Sequence, residues 1–181
     1  MHIRKWLVLV ACALATATLA GCGFHLRQSA ALPAVMQHQV YLQVSGGGAF
    51  ARSLAASLRA SKVNVLSDSA PGVATLAVPT AAFSSNLMTT SAVERVGEYV
   101  VGMQVRFTLV SADGKTVVPM QTISLSHEFA IDQTEFSAIS SETEAIERSL
   151  VREMTDAVMR RLEAQAQRGT LVAPASAASA G

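Results

Sequence analysis

Two long stretches of alternating apolar and polar residues, 93–110 and 117–131, flank the dipeptide Asp113-Gly114. Alternation with a period of two places successive side chains on opposite faces of a strand, and Asp-Gly is a strong hairpin-turn signal. The pattern therefore predicts a long antiparallel hairpin with one apolar face and one polar face. Such a hairpin must bury its apolar face against a second layer of structure.

The numbering of the apolar residues restricts the turn. They occupy odd positions on both strands: Val101, Met103, Val105, Phe107, Leu109, Ile123, Leu125, Phe129 and Ile131. A two-residue turn would pair odd with even positions and so place core residues opposite solvent-facing ones. We therefore expect a loop with an odd number of residues, most simply a three-residue turn with Gly114 left-handed, or a bulge near Pro119.

The sequence before the hairpin predicts a strand, a helix and a second strand. Val40, Leu42 and Val44 alternate with polar residues, which is typical of a half-buried strand at the edge or flank of a sheet. A helix is predicted over about 49–60, with Phe50, Leu54 and Leu58 on one face. The chain then returns through Val63 and Val65 to a strand over 75–78, which would lie parallel to the first after a right-handed crossover.

A final helix of about twenty residues is predicted after the hairpin. Ser141 and Glu144 have the spacing of a capping box. The apolar stripe that follows is formed by Ile146, Leu150, Met154, Val158 and Leu162. Together these elements predict an α+β two-layer sandwich, with two helices on one face of a roughly four-stranded mixed sheet.

The opposite face of the sheet is predicted to be polar and free of helices. The hairpin contributes to it Gln104, Arg106, Thr108, Thr122, Ser124, Ser126 and Glu128. Short hydroxyl and amide side chains could bind a polar partner, although an ordinary solvated face would have the same composition.

The N-terminal segment has the organisation of an export signal. Arg4 and Lys5 precede an uncharged run over 6–20, which is shorter than the about twenty residues that span a bilayer. Leu19-Ala20-Gly21-Cys22 matches the bacterial lipobox, which predicts cleavage between Gly21 and Cys22 and attachment of N-acyl and S-diacylglycerol lipids to Cys22. The alternative is an ordinary signal followed by a chance cysteine. Gly23, where an aspartate would retain the protein in the inner membrane, favours the outer membrane.

Four segments follow from this organisation. They are a signal peptide over 1–21, a lipidated tether over 22–33, a folded domain over 34–168, and a disordered tail of small residues over 169–181. Cys12 would leave with the signal and Cys22 would carry lipid, so no thiol remains for a disulfide or a nucleophile. The net charge of +1 argues against a nucleic-acid partner.

Residues capable of catalysis or metal binding are scattered. None of the four histidines has a partner at ligand spacing, so neither a metal site nor a cofactor is predicted. His127 has the apolar parity of its strand and is predicted to be a core or interface histidine. Gly46-Gly47-Gly48 lacks the Lys-Ser/Thr of a phosphate-binding loop, which favours a flexible turn. No nucleophile elbow or paired carboxylates occur, so the chain is not expected to be an enzyme.

The run Gly21-Cys22-Gly23-Phe24-His25-Leu26-Arg27 resembles the mature N-terminus of the LptE family of lipopolysaccharide-assembly lipoproteins. The order of elements and the segments 150–154 and 159–162 are similar to that family as well. The resemblance implies a non-enzymatic lipoprotein of the outer membrane, whose domain lies within the lumen of the LptD β-barrel on the periplasmic side. It would plug that barrel, help it assemble, and assist lipopolysaccharide transport into the outer leaflet.

Family members have been linked to lipopolysaccharide binding through basic residues after the first crossover. The corresponding segment here, 83–90, contains no lysine or arginine. The nearest candidates for contact with lipopolysaccharide or another anion are Arg95, Arg106 and Lys115, and solvated surface charge is the alternative for each. Two other functions stay open: a lipid-anchored component of another envelope assembly or transport system, and a lipid-anchored periplasmic hydrolase.

Overall fold

The computed structural model describes residues 31–90, 96–132 and 136–172, with side chains over 31–88, 97–131 and 138–168. A short 3-10 turn, Ala34–Met36, opens the described part of the chain. The remaining elements are β1 (Gln39–Gly46), α1 (Gly48–Ala60), β2 (Asn64–Leu66), β3 (Ala74–Thr90), β4 (Val96–Val110), β5 (Thr116–Asp132) and α2 (Phe136–Val172). The predicted α+β class is confirmed, with five strands rather than about four.

The five strands form one mixed sheet in the order β2-β1-β3-β4-β5. Val40 of β1 pairs with Val65 of β2 on one side and with Ala74 of β3 on the other, both in parallel. The strands β3, β4 and β5 are antiparallel. The expected parallel return strand is therefore present, but β1 lies inside the sheet. The three residues of β2 were too few for their alternation to reveal a separate edge strand.

Helix α1 begins directly against the sheet. Phe50, Leu54 and Leu58 of this helix are fully buried, as their spacing predicts. Gly46 and Gly47 before it have φ of 80° and 56°, and a Cβ on Gly47 would lie 2.7 Å from Cβ of Ala81. The glycine run is therefore a closely packed junction with β3 and not merely a flexible turn, because only glycine combines this backbone with this approach.

Strand β3 is much longer than the predicted 75–78 and contains a bulge. Ala77 pairs with Thr108 of β4, whereas Thr80 pairs with Arg106, so Val78 and Pro79 together oppose a single residue. Proline lacks the N–H that a regular ladder requires, which suits it to a bulge. The residues after Pro79 are mainly small and polar, and pairing with β4 rather than their own propensity makes them a strand.

The hairpin between β4 and β5 confirms the parity prediction. Ser111 N–H donates to the Lys115 carbonyl at 2.9 Å, which encloses a three-residue turn in which Gly114 has φ of 80°. The register shifts twice between Phe107 and Val110 of β4, opposite the segment around Pro119. The two register shifts together restore the pairing of odd with odd positions. This pairing holds from Phe107, which lies opposite Gln121, to the far end of the hairpin. The expected turn and the expected bulge are thus both present.

Helix α2 is 37 residues long, not about twenty, and the predicted capping box is wrong. Ser141 lies inside the helix and its hydroxyl donates to the Ala138 carbonyl at 3.1 Å. A serine that bonds back to an earlier carbonyl is compatible with a helix interior, so it need not mark a start. The helix also continues to Val172, into the segment predicted as a disordered tail; residues 173–181 lie outside the described residues.

The core lies between the two helices and one face of the sheet. The large residues that are fully buried come from both layers and include Phe50, Met36, Phe107, Met103, Leu150, Met154 and Leu162. Leu32 is 5% exposed and Pro33 is also buried, so the packed part of the chain begins before residue 34. Residue 34 is the predicted start of the folded domain. In the described part of the chain, neither helix is long and apolar enough to cross a membrane.

Candidate functional site

The open face of the sheet is the surface that the sequence singled out, and the strand register assembles it. Thr80 of β3, Arg106 of β4 and Thr122 of β5 lie side by side across three strands. The next rows are Ala82, Gln104 and Ser124, then Ser84, Gly102 and Ser126. Since Met103 and Val105 between these rows are buried against the helices, the rows themselves lie on the opposite face.

The side chains of this open face are small, polar and mostly exposed. Gln104 Nε2 donates to Ser124 Oγ at 3.4 Å, and Thr108 Oγ1 donates to the Val118 carbonyl at 2.8 Å. The remaining hydroxyl groups can donate and accept toward a partner without the desolvation cost of a charge. The open face is therefore suited to hydrogen bonding with another polar surface.

Gly102 makes a depression in the middle of the open face. A Cβ at this position would lie 2.9 Å from Ser84 Oγ, so a larger residue would have to displace that hydroxyl. The depression has a volume of about 460 Å³ and includes Ser84, Gln104, Ser124 and Ser126 in its lining. It is shallow and contains no residue suited to nucleophilic or general-base catalysis with an oriented partner.

Of the three candidate anion contacts, the two that the structure describes, Arg106 and Lys115, do not form a single site. Arg106 is exposed on the open face between Thr80 and Thr122. Lys115 belongs to the hairpin turn, where its Nζ lies 2.9 Å from Asp113 Oδ2, and nothing joins it to Arg106. Arg95 lies outside the described residues. Of the candidates that the structure describes, only Arg106 therefore lies on the open face with its positive charge unpaired.

Asp113 is held by its own turn. The Ser111 hydroxyl and the Lys115 ammonium both donate to its carboxylate, and they lower its pKa from 3.8 to about 2. The hydrogen bond from Ser111 is the largest single cause, the hydrogen bond from Lys115 is the second, and the charge of Lys115 lowers the pKa further. The charges of Asp113 and Lys115 thus serve the turn and are not arranged around a ligand.

His127 has a partner that the sequence did not reveal. Its Nε2 lies 3.1 Å from Oε2 of Glu153 on α2, and Ser149 Oγ donates to the other carboxylate oxygen at 3.1 Å. His127 is thus an interface histidine between strand and helix, as its parity suggested. In this order the carboxylate lies between serine and histidine, so the group is not a nucleophile-base pair.

No metal site forms among the described side chains. They contain no group of three or more histidine, cysteine, aspartate or glutamate residues placed to hold a metal ion. The predicted lipid-bearing Cys22 and the motif residues Gly23, Phe24, His25, Leu26 and Arg27 lie outside the described residues. Among the described residues, the open face is consequently the main candidate for a functional surface.

Three solved structures of bacterial lipoproteins share this two-layer α+β fold. A lipoprotein B from Nitrosomonas europaea is 20% identical, with a TM-score of 0.66 over 82% of this chain and 96% of that one. Rare lipoprotein B from Shewanella oneidensis is 18% identical, with a TM-score of 0.61 over 74% and 98%. A minor lipoprotein from Acinetobacter baumannii is 14% identical, with a TM-score of 0.59 over 71% and 92%. At these identities the likeness shows the fold alone.

A five-stranded mixed sheet with both helices on one face therefore defines the class of this domain. The family model of LptE, described as lipopolysaccharide-assembly, matches residues 37–162, and the chain belongs to this family. The match spans the elements from β1 through most of α2. Comparison with curated protein sequences gives no match.

Proposed function

We propose that this protein is a non-enzymatic outer-membrane lipoprotein that plugs the LptD β-barrel, helps it assemble, and assists lipopolysaccharide transport into the outer leaflet. Membership of the lipopolysaccharide-assembly family supports the process. The observation that carries the plug assignment is the open face, which is polar over three adjacent strands and is covered by neither of the described helices.

The chemistry of the open face fits a barrel interior. The lumen of a large outer-membrane barrel is polar and water-filled, so a domain inside it needs a hydrogen-bonding surface and not an apolar one. Ser84, Ser124, Ser126 and Gln104 supply donors and acceptors there. Arg106 supplies a charged guanidinium, whose N–H donors suit a carbonyl, carboxylate or phosphate oxygen. Lipopolysaccharide contact through Arg106 or Arg95 is part of the proposal.

The N-terminal segments supply the anchor in this proposal. Residues 1–21 act as the signal peptide, and the mature Cys22 carries three acyl chains, two in a thioether-linked diacylglycerol and one on the amine that cleavage frees. Each buried methylene contributes about 0.8 kcal/mol, so three chains hold the protein on the membrane essentially permanently. The Gly23-to-Arg27 motif would then lie close to the bilayer surface, with the domain reaching the barrel from the periplasmic side.

Affinity purification of the tagged protein from detergent-extracted outer membranes tests the proposal. A heat-modifiable barrel that co-purifies in about equal amount and is identified as LptD by mass spectrometry is the expected result. Recovery of a different partner would assign the protein to another envelope system, and recovery of the lipoprotein alone would refute the plug.

A pair of serine variants tests the role of the open face. Ser124→Trp places a large side chain in the middle of the face, whereas the control Ser69→Trp makes the same change at an exposed position before β3. If the face contacts the barrel, Ser124→Trp lowers the yield of the complex by about tenfold, which corresponds to about 1.4 kcal/mol. Equal yields for the two variants would exclude the open face from the interface.

A further inference from the structure

Strand β5 forms an edge of the sheet that lacks the usual protection. It is 17 residues long and, of the described strands, pairs with β4 alone, whereas the opposite edge strand, β2, has three residues. Natural sheets protect their edges with short strands, lysine, proline or bulges. Here Pro119 and the register shifts are confined to the start of β5, and 121–131 contains no proline, lysine or arginine.

The outer backbone groups of this segment have no partner among the described residues. At the start of β5, Gln165 Nε2 donates to the Val117 carbonyl at 3.4 Å, so helix α2 covers that end. Over 121–131, no described residue donates to or accepts from the outward-facing N–H and C=O groups. A row of alternating donors and acceptors with the spacing of a strand is matched group for group by another extended backbone.

Several core-facing side chains of β5 are also only partly covered. Leu125 and His127 face the helices, but both are only half-buried, whereas Met103 and Val101 beside them on β4 are 2% and 0% exposed. Phe129 is half-buried too, although its ring stacks on Tyr99 at 5.3 Å. An additional strand along the edge would cover this row of side chains as well as the backbone.

We propose that the 121–131 edge of β5 accepts an extended segment of the partner barrel, which adds a sixth strand to the sheet. This inference rests on the partnership proposed above. The wall of a closed barrel has no unpaired strand edge, so the added segment comes from a part of LptD outside the wall. Its side chains should alternate, with apolar residues beside Leu125 and Phe129 and small polar residues beside Ser124 and Ser126.

Hydrogen–deuterium exchange at single-residue resolution tests the proposal on the full-length protein, alone and in the purified one-to-one complex with LptD. In the free protein, alternate amides over 121–131 exchange fast because they face solvent, and the others are protected by β4. In the complex, the fast amides slow by at least about tenfold, which corresponds to strand formation. The amides of β3 over 82–88, which lie past the end of β1, serve as the internal comparison.

Several outcomes overturn the proposal. If the complex is stable but the outward amides of β5 exchange as fast as in the free protein, no sixth strand is added. That result refutes the present proposal and leaves the plug function intact. Slowing at 82–88 of β3 instead assigns the added segment to the other side of the sheet. Protection that is present in the free protein and increases with its concentration assigns the edge to a second copy of this chain. Failure to obtain the complex refutes the plug and the added strand together.

Discussion

His127 Nε2 lies 3.1 Å from Glu153 Oε2, so this polar contact helps to join the edge strand β5 to helix α2. Both side chains are partly accessible, at 39% for the histidine and 45% for the glutamate. The contact lies beside the core, with Leu150 and Met154 buried on neighbouring positions of the helix. Its strength therefore depends on solvent and pH, unlike the apolar packing around it.

The first prediction concerns acid stability. His127 is the main cause that lowers the pKa of the Glu153 carboxyl below its ordinary value of 4.5, and Ser149 adds to it. A carboxyl with a lowered folded-state pKa stabilises the fold above its unfolded-state pKa, and the stabilisation is lost as the pH falls through the folded-state value. Glu153→Gln should therefore reduce the free energy of unfolding at pH 6 by under about 1 kcal/mol, because water screens the pair.

Urea unfolding at a series of pH values checks this prediction. Below about pH 4.5 the wild-type protein should lose the advantage that it has over Glu153→Gln at pH 6. Glu163→Gln, on the same helix and without an ion-pair partner among the described side chains, is the control and should follow the wild-type curve. A constant difference between wild type and Glu153→Gln at all pH values would show that the ion pair is not its source.

The second prediction concerns the junction between β1 and α1. Gly47→Ala requires a left-handed alanine whose Cβ would lie 2.7 Å from that of Ala81, so strain and a clash combine. We expect a loss of about 2–4 kcal/mol in the free energy of unfolding. Gly72→Ala is a matched control, because Gly72 has φ of 79° but no atom within 4 Å of the added Cβ, and it should cost only about 1 kcal/mol.

Equal losses in these two alanine variants would mean that the approach to Ala81 is relieved by a small backbone shift. The midpoint of urea unfolding and its slope should be measured for both. An unchanged slope shows that the two variants unfold from equally compact native states, so that the midpoints can be compared.

The third prediction concerns the turn. The Ser111 hydroxyl is the main cause of the low pKa of Asp113, so Ser111→Ala should raise that pKa from about 2 toward 3.8. Lys115→Gln should raise it as well, because the ammonium contributes both a hydrogen bond and the attraction of its charge. Titration of the Asp113 side-chain carboxyl carbon by NMR measures both changes, with Thr122→Ala as a control outside the turn. An unchanged pKa of Asp113 in Ser111→Ala would contradict the assignment of that hydroxyl as the main cause.

The fourth prediction concerns the anchor. Cys22→Ala should release the protein from membranes without changing its thermal unfolding, because none of the core residues is altered. Cys12→Ala, at the other cysteine of the chain, should leave membrane association intact. Recovery of Cys22→Ala as an insoluble or unfolded protein would contradict the division into a lipidated tether and an independent domain.

The hairpin was predictable because its pattern is long and its faces differ. Nine apolar residues of one parity determined which positions face the core, and they restricted the turn to a form in which Gly114 is left-handed. Helix α1 was predictable for the same reason, since Phe50, Leu54 and Leu58 repeat at four-residue spacing. In both elements, burial of one apolar face contributes most of the stabilisation, and this face is visible in the sequence as a regular spacing of apolar residues.

The remaining features depend on neighbours that are distant in the sequence. The second half of β3 has little strand propensity and is held by β4, and the three residues of β2 are held by β1. Ser141 was predicted to cap the start of helix α2, but the residues before it are helical as well. The pairing of His127 with Glu153 joins residues 26 positions apart, and no local pattern points from one to the other.

The bulge at Val78 and Pro79 has a consequence for the genetics of this strand. Before it, the core-facing residues of β3 are even-numbered, as in Leu76 and Val78; after it they are odd-numbered, as in Ala81. Loss of the Pro79 codon would remove the bulge, so that β3 alternates regularly throughout and every later side chain keeps its present face. Loss of the Ala82 codon would instead turn Phe83 and all that follows toward the opposite face. Single-codon deletions a few positions apart in β3 should thus range from tolerated to destructive.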